Sequence, residues 1–153
     1  CAAAFINEYY RNNFEKMRVD AKALYRILDA NFNRSKEALR VLEDVARFFL
    51  NDESLTRQYK TARHDLTESV GLLKIKNLIA AREVERDVGK ETSLSELKRT
   101  KIEDIFLANS QRLKESIRVL EEFSKLISAA GAERFKQLRY KVYVLEKKAA
   151  SKL

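Results

Sequence analysis

Apolar residues recur at intervals of three and four along most of the chain, the spacing that places them on one face of a helix. This pattern predicts five helical stretches. The first covers residues 2–18. The second covers 22–50, with an irregularity near Asp29-Ala30-Asn31. The third follows Asn51, a residue suited to an N-cap, and has Asp52 and Glu53 in its first turn, where the helix dipole favours acids. Its apolar stripe is Leu55, Tyr59, Ala62, Leu66, Val70 and Leu73. A looser segment, residues 78–97, contains Gly89. The fourth helix opens on a capping box, Thr100-Lys-Ile-Glu103, and runs to about residue 130, with Gly131 placed to end it. The fifth carries Phe135, Leu138, Val142 and Leu145 on one face.

The strongest regularity lies between these stretches. Residues 31–44 read N-F-N-R-S-K-E-A-L-R-V-L-E-D, and residues 109–122 read N-S-Q-R-L-K-E-S-I-R-V-L-E-E. Eight of the fourteen positions are identical at an offset of 78. Each copy is followed by another helix bearing an arginine, Arg63 in the first half and Arg139 in the second. Helix propensity explains the Leu, Lys and Glu of such a repeat but does not call for Asn. The expected fold class is therefore all-α, a helical bundle with an internal pseudo-two-fold repeat of two helical hairpins. Residues 1–153 read as a single helical domain. Its parts are an extra N-terminal helix (1–20), a first repeat half (22–75), the looser connection (78–97) and a second half (100–150).

At about 100° per residue, Ala38, Leu42, Val45 and Phe49 form the apolar centre of the first copy. Asn31 falls on this centre, and Arg34 lies within about 60° of it. Glu37 and Asp44 flank it, while Arg40 and Glu43 point mostly away. The second copy matches, with Ser116, Leu120, Phe123 and Ile127 in the centre, Asn109 on it, Arg112 beside it, and Glu115 and Glu122 on the flank. An inward arginine is costly unless paired. Two readings follow. Arg34–Glu37 and Arg112–Glu115 are buried pairs tying helices together, or Arg34 and Arg112, with Arg63 and Arg139, surround a cavity for phosphoryl groups, whose oxygens match the guanidinium fork.

The middle segment A-A-R-E-V-E-R-D-V-G, residues 80–89, is a second candidate region. Arg82 is suited to a phosphate, and Asp87 to Mg²⁺, which takes one or two carboxylates beside substrate phosphates. His64, the lone histidine, reads as structural.

Composition narrows the function. The chain has 153 residues, three glycines and no proline, too few turn formers for a sandwich of short strands. It is also shorter than the roughly 250 residues of a complete β/α barrel. One cysteine excludes an internal disulfide and a Cys-based zinc site, and a reducing, cytoplasmic setting is expected. No apolar run reaches the roughly 18–20 residues of a membrane span. The net charge of +8 permits nucleic acid, an anionic membrane or small phosphorylated ligands as partners. Phosphate loops of the G-x-x-x-x-G-K-[ST] type, G-x-G-x-x-G, G-x-S-x-G and H-E-x-x-H are all absent from the sequence, as is any nucleic-acid motif.

One family resemblance is specific. It rests on Y-R-I-L-D-A-N-F-N-R-S-K-E-A-L-R-V-L-E-D-V-A-R-F (25–48), R-H-D-L (63–66), A-R-E-V-E-R-D-V-G (81–89), A-N-S-Q-R-L-K-E-S-I-R-V-L-E-E-F (108–123) and R-Y-K-V-Y-V-L-E (139–146). Over residues 22–148 the chain resembles the small helical hydroxymethylpyrimidine-phosphate kinase of thiamine biosynthesis. That family occurs alone or fused ahead of a thiamine-phosphate synthase barrel, and the barrel has no counterpart in these residues. The resemblance implies phosphoryl transfer from ATP, with Mg²⁺, to a pyrimidine monophosphate. On it, Arg34, Arg112, Glu37 and Glu115 are the candidate catalytic residues. Asn31, Asn109, Arg63, Arg82 and Arg139 are candidate substrate and phosphate contacts, and Asp87 and Asp44 candidate metal ligands. The partners implied are ATP and a small phosphorylated pyrimidine, with neither nucleic acid nor membrane. A second copy of the chain and a thiamine-phosphate synthase domain remain open as protein partners. Ser116-Ile117 replaces the more typical Ala-Leu, a change that bears on packing. Two other readings compete: a non-catalytic phosphate- or nucleotide-sensing domain of a thiamine enzyme, and a basic helical RNA-binding or scaffold protein.

Overall fold

The computed structural model describes residues 2–85, 89 and 98–153, with side chains from residue 21 onward except at Ile75. Among the described residues there are five α-helices and one π-helical turn; the α-helices are α1 (Ala2–Asp44), α2 (Glu53–Gly71), α3 (Ile75–Ala81), α4 (Ile102–Ser124) and α5 (Ala129–Ala150). The first two predicted stretches are one helix. Nothing in residues 2–44 is Gly or Pro, so the chain has no reason to break near residue 20 or at Asp29-Ala30-Asn31.

The irregularity comes later, as a π-helical turn at Val45–Phe49. There the Leu50 N–H bonds to the Val45 carbonyl five residues back, at 3.0 Å. The wide turn keeps Val45 and Ala46 buried and turns Phe48 and Phe49 to solvent, so Phe49 is not part of the apolar centre expected of it. Asn51 follows at φ 51°, a left-handed conformation that Asn tolerates better than most residues. It ends the helix, and the N-cap of α2 is Asp52, not Asn51 as the sequence suggested. The Asp52 Oδ1 accepts from the Leu55 N–H at 2.8 Å.

Two other boundaries also move. At the start of α4 the acid that reaches back is Asp104, not Glu103, and its Oδ2 accepts from the N–H groups of Thr100 and Lys101, both at 3.1 Å. Gly131 does not end α4, which stops at Ser124. It lies in the first turn of α5, donating to the Oγ of the N-cap Ser128 at 3.1 Å.

Helix α1 packs against α2 and α4, and α5 packs against the same two, closing a four-helix ring with α3 laid on α1. The buried positions of the two hairpins correspond. From α1 to α4, at an offset of 78, Leu28 matches Phe106, Asn31 matches Asn109, Leu39 matches Ile117, Leu42 matches Leu120 and Glu43 matches Glu121, all buried. From α2 to α5, at an offset of 76, Tyr59 matches Phe135, Ala62 matches Leu138 and Leu66 matches Val142. Each fully buried Leu, Ile or Phe contributes on the order of 2 kcal/mol relative to exposure. The same buried places, filled twice, therefore hold the ring together. No helix of the described residues is long and apolar enough to cross a membrane.

Candidate functional site

The polar groups inside the ring sort into two kinds. The first kind is structural, and it appears twice. Glu43 of α1 is buried, and its Oε2 accepts from Arg63 Nε of α2 at 3.0 Å while its Oε1 lies 3.5 Å from Arg40 Nη1. Glu121 of α4 repeats this with Arg139 Nε of α5 at 2.8 Å and Arg118 Nη1 at 2.7 Å. Arg139 also donates to the Tyr143 hydroxyl at 3.0 Å and lies over the rings of Tyr140 and Tyr143. Its hydrogen bond to Glu121 is the main reason its guanidinium holds its proton more tightly than usual. The predicted phosphate contacts Arg63 and Arg139 thus clamp each hairpin shut.

These contacts correct the pairing expected from the helical wheel. Glu37 and Glu115 are exposed, not buried partners of Arg34 and Arg112. Glu43, placed facing away, is buried, as is Glu121. The cause is geometric. Helix α1 touches both α4 and α2, so its buried arc is wider than one stripe and takes in Ser35, Leu39 and Glu43.

The second kind lines open space. A cavity of about 440 Å³ between α1 and α4 is lined by Asn31, Arg34, Arg99, Gln111, Arg112 and Glu115, among others. The structure therefore brings four of the predicted residues, Asn31, Arg34, Arg112 and Glu115, to one place. Arg34 is exposed and Arg112 half-buried. Among the described residues, Arg34 and Arg99 have no carboxylate within ion-pair distance. Asn31 is held by its amide, which donates to the Ile27 carbonyl at 2.8 Å, and Asn109 does the same to Ile105 at 2.8 Å. Glu115 accepts from Gln111 at 2.7 Å. Arg99 was not singled out from the sequence. Its signal was the basic run Lys98-Arg99 just ahead of a helix N-terminus, where the dipole disfavours cations unless an anion joins them.

A second cavity, about 480 Å³, adjoins the first and shares Asn31 and Arg34 with it. Arg26, Asp29, Asn33 and Arg82 complete its polar lining, with Glu83 at the edge. Arg82 meets the buried Asp29 in a fork, Nε to Oδ2 and Nη2 to Oδ1, each at 2.7 Å. This pins the segment after α3 onto α1, and Asp29 holds the Arg82 guanidinium above its ordinary pKa. Asn109, Glu37 and Asp44 line neither cavity. Asp87 lies outside the described residues. His64 is exposed on α2.

Among the described residues, no three His, Cys, Asp or Glu side chains converge as a metal cage. The carboxylates at the cavities are Glu115 in the first and Glu83 beside the Asp29–Arg82 pair in the second. This donor set fits Mg²⁺ carried on substrate phosphates, which needs one or two protein carboxylates at most.

Duplicated hairpins with an arginine-lined cavity at their junction define the class: a helical protein built twice over, with a polar site between α1 and α4. The chain belongs to the ThiD2 family, whose profile matches residues 26–148. It is similar to proteins named thiamine-phosphate synthase from Nostoc punctiforme (41% identical over 126 residues), Synechocystis sp. (42% over 125) and Rhodopirellula baltica (38% over 125). These alignments take 81–82% of this chain but 33–35% of each relative, so the chain spans about a third of their length. No solved structure matches it.

Proposed function

We propose that this chain transfers the γ-phosphoryl group of MgATP to 4-amino-5-hydroxymethyl-2-methylpyrimidine phosphate, giving the pyrimidine diphosphate and ADP. Family membership and the name carried by its relatives support a place in thiamine biosynthesis. The observation that carries the finer reading is the cavity between the repeats, whose described lining includes Arg34, Arg99 and Arg112 with Glu115.

The chemistry asks little of a protein base. The acceptor is a phosphate monoester oxygen, mostly ionised at pH 7 because its second pKa is about 6. That oxygen forms the new bond to the γ-phosphorus as the bond to the β,γ-bridging oxygen breaks, and ADP departs with the electron pair. The obstacle is repulsion between two polyanions. Arginines that hold both in line and neutralise the oxygens of the transferring group supply what is needed. Mg²⁺ enters as part of the nucleotide substrate.

The test is a mass-spectrometric turnover assay with pyrimidine monophosphate, ATP and Mg²⁺. Magnesium-dependent formation of the diphosphate is expected. Arg34→Ala and Arg112→Ala should each lower kcat/KM by about 100-fold or more while the helical circular dichroism is retained. Full turnover in either variant would remove that arginine from the site. A second reading, a phosphate-sensing domain without turnover, draws on the match to only a third of proteins named for a different activity. It predicts calorimetric binding of a phosphate compound and no product.

A further inference from the structure

Cavity two has a second wall only because a segment outside α1 lies across it. Arg82, Glu83 and Val84 form that wall, and every other described lining residue belongs to α1. Without it, Arg26 and Arg34 would stand on an open helix face. Helix α3 ends where Arg82 turns extended, at φ −58° and ψ 130°. Two contacts then draw the chain back to α1. One is the Arg82–Asp29 fork, whose carboxylate is only 6% exposed and also accepts from Asn33 Nδ2 at 3.3 Å. The other is the Glu83–Lys22 pair at 3.9 Å, whose lysine is mostly exposed. An exposed pair contributes little, so the fork carries the hold. Leu78 and Ala81 are buried and keep α3 itself on α1, so cutting the fork frees the segment and not the helix.

The fold does not require this buried carboxylate. The matching position in the second half, at the offset of 78, is Leu107, which is exposed. Burying a charge at Asp29 has a desolvation cost that a leucine avoids. The carboxylate thus stands only in the copy of the helix that carries the wall of cavity two. We propose that Asp29 and Arg82 are positioning residues for the reaction: their fork holds Arg82–Val84 against α1 as the second wall of a substrate site, and Arg82 acts through this wall and not by contacting a phosphate. The assignment rests on the kinase reading above. Rigidly held walls keep reacting groups in line, and a displacement of about 1 Å costs on the order of 100-fold in rate.

The experiment measures kcat/KM and Tm side by side. Asp29→Asn and Arg82→Gln should each lower kcat/KM about tenfold or more. Both should lower Tm, most in Arg82→Gln, which strands the buried carboxylate. The double variant Asp29→Leu/Arg82→Met removes both charges. Its Tm should return to within about 2 °C of the unmodified protein, while kcat/KM stays low because an apolar pair has no fork to fix the direction of the segment. Arg82→Lys keeps the charge and loses the fork, and should also lose turnover; it stands in if another variant fails to fold. Turnover that recovers with Tm in the double variant would reduce the pair to a purely structural role and overturn the proposal. So would full activity in Arg82→Lys, or a loss in Arg82→Gln more than about tenfold beyond that in Asp29→Asn, which would put Arg82 on the substrate itself. A nitroxide on Val84→Cys, with the lone native cysteine removed as Cys1→Ser, reads the wall without chemistry. Its spectrum should sharpen in Asp29→Asn, and an unchanged line shape would overturn the hold of the fork. Absence of turnover in the unmodified protein would instead overturn the reaction, and the spin label would still report on the fork, so the two failures are distinguishable.

Discussion

At the scale of single residues, the molecule shows how much a burial pattern can hide. Glu121 is only 4% exposed and bonds Arg139, which is itself largely buried. Removing the carboxylate leaves a cation without its partner in a desolvated place. Glu121→Ala should cost about 2–4 kcal/mol in urea unfolding. Arg118, half-exposed on the other side of the same carboxylate, should cost less than about 1 kcal/mol on change to Ala. Equal losses would show that Arg139 does not depend on Glu121. Tyr59 makes a contrasting case. Its hydroxyl is buried without a partner among the described residues, and burial pushes its pKa well up. The matching position in the second half holds Phe135, which has no hydroxyl to satisfy. Tyr59→Phe should therefore leave stability unchanged or raise it by up to about 1 kcal/mol in the same assay.

At the scale of elements, the helices answer to their ends. The carboxyls of Asp52 and Asp104 are held below their ordinary value of 3.8 mainly by backbone N–H groups, those of Leu55 and of Thr100 and Lys101. Lys152 adds to the effect at Asp52. A depressed folded-state pKa stabilises the protein above the unfolded value, and the stabilisation is lost as pH falls through the folded value. The Tm should be flat down to about pH 5 and fall below it. Asp52→Asn, which keeps an acceptor but cannot titrate, should flatten the acid limb. An unchanged limb would remove Asp52 from the account. The apolar stripes of α2 and α5 and the doubling of α1 and α4 were legible in the sequence, because three-and-four spacing and a repeated Asn-Arg signature survive in any bundle. The exact ends were not. Asn51, Asp52 and Asp104 compete for capping roles that depend on local dihedrals, and Gly131 reads equally well as the end of one helix or the first turn of the next. The site was legible only in part. Asn31, Arg34, Arg112 and Glu115 all line the cavity between α1 and α4, although Arg34 and Glu115 are exposed where the wheel had placed them inward or paired. Arg26 and Arg99 needed the packing of α1 on α4 and of the post-α3 segment on α1 before they had a role.

At the scale of the whole molecule, the pseudo-two-fold arrangement is marked by one contact between equivalent positions. Asp65 of α2 and Lys141 of α5 correspond at the offset of 76, and they bind one another at 2.7 Å. Both are more than a third exposed, so the pair itself contributes little, and Asp65→Asn in the intact chain should change stability by less than about 1 kcal/mol in thermal unfolding. Its importance is of another kind. Two copies of the first hairpin, joined by the same symmetry, would bring Asp65 against Asp65, and two of the second would bring Lys141 against Lys141. Were the hairpins made as separate polypeptides, this one contact would tilt the choice toward the unlike partner, by no more than the small energy of an exposed pair.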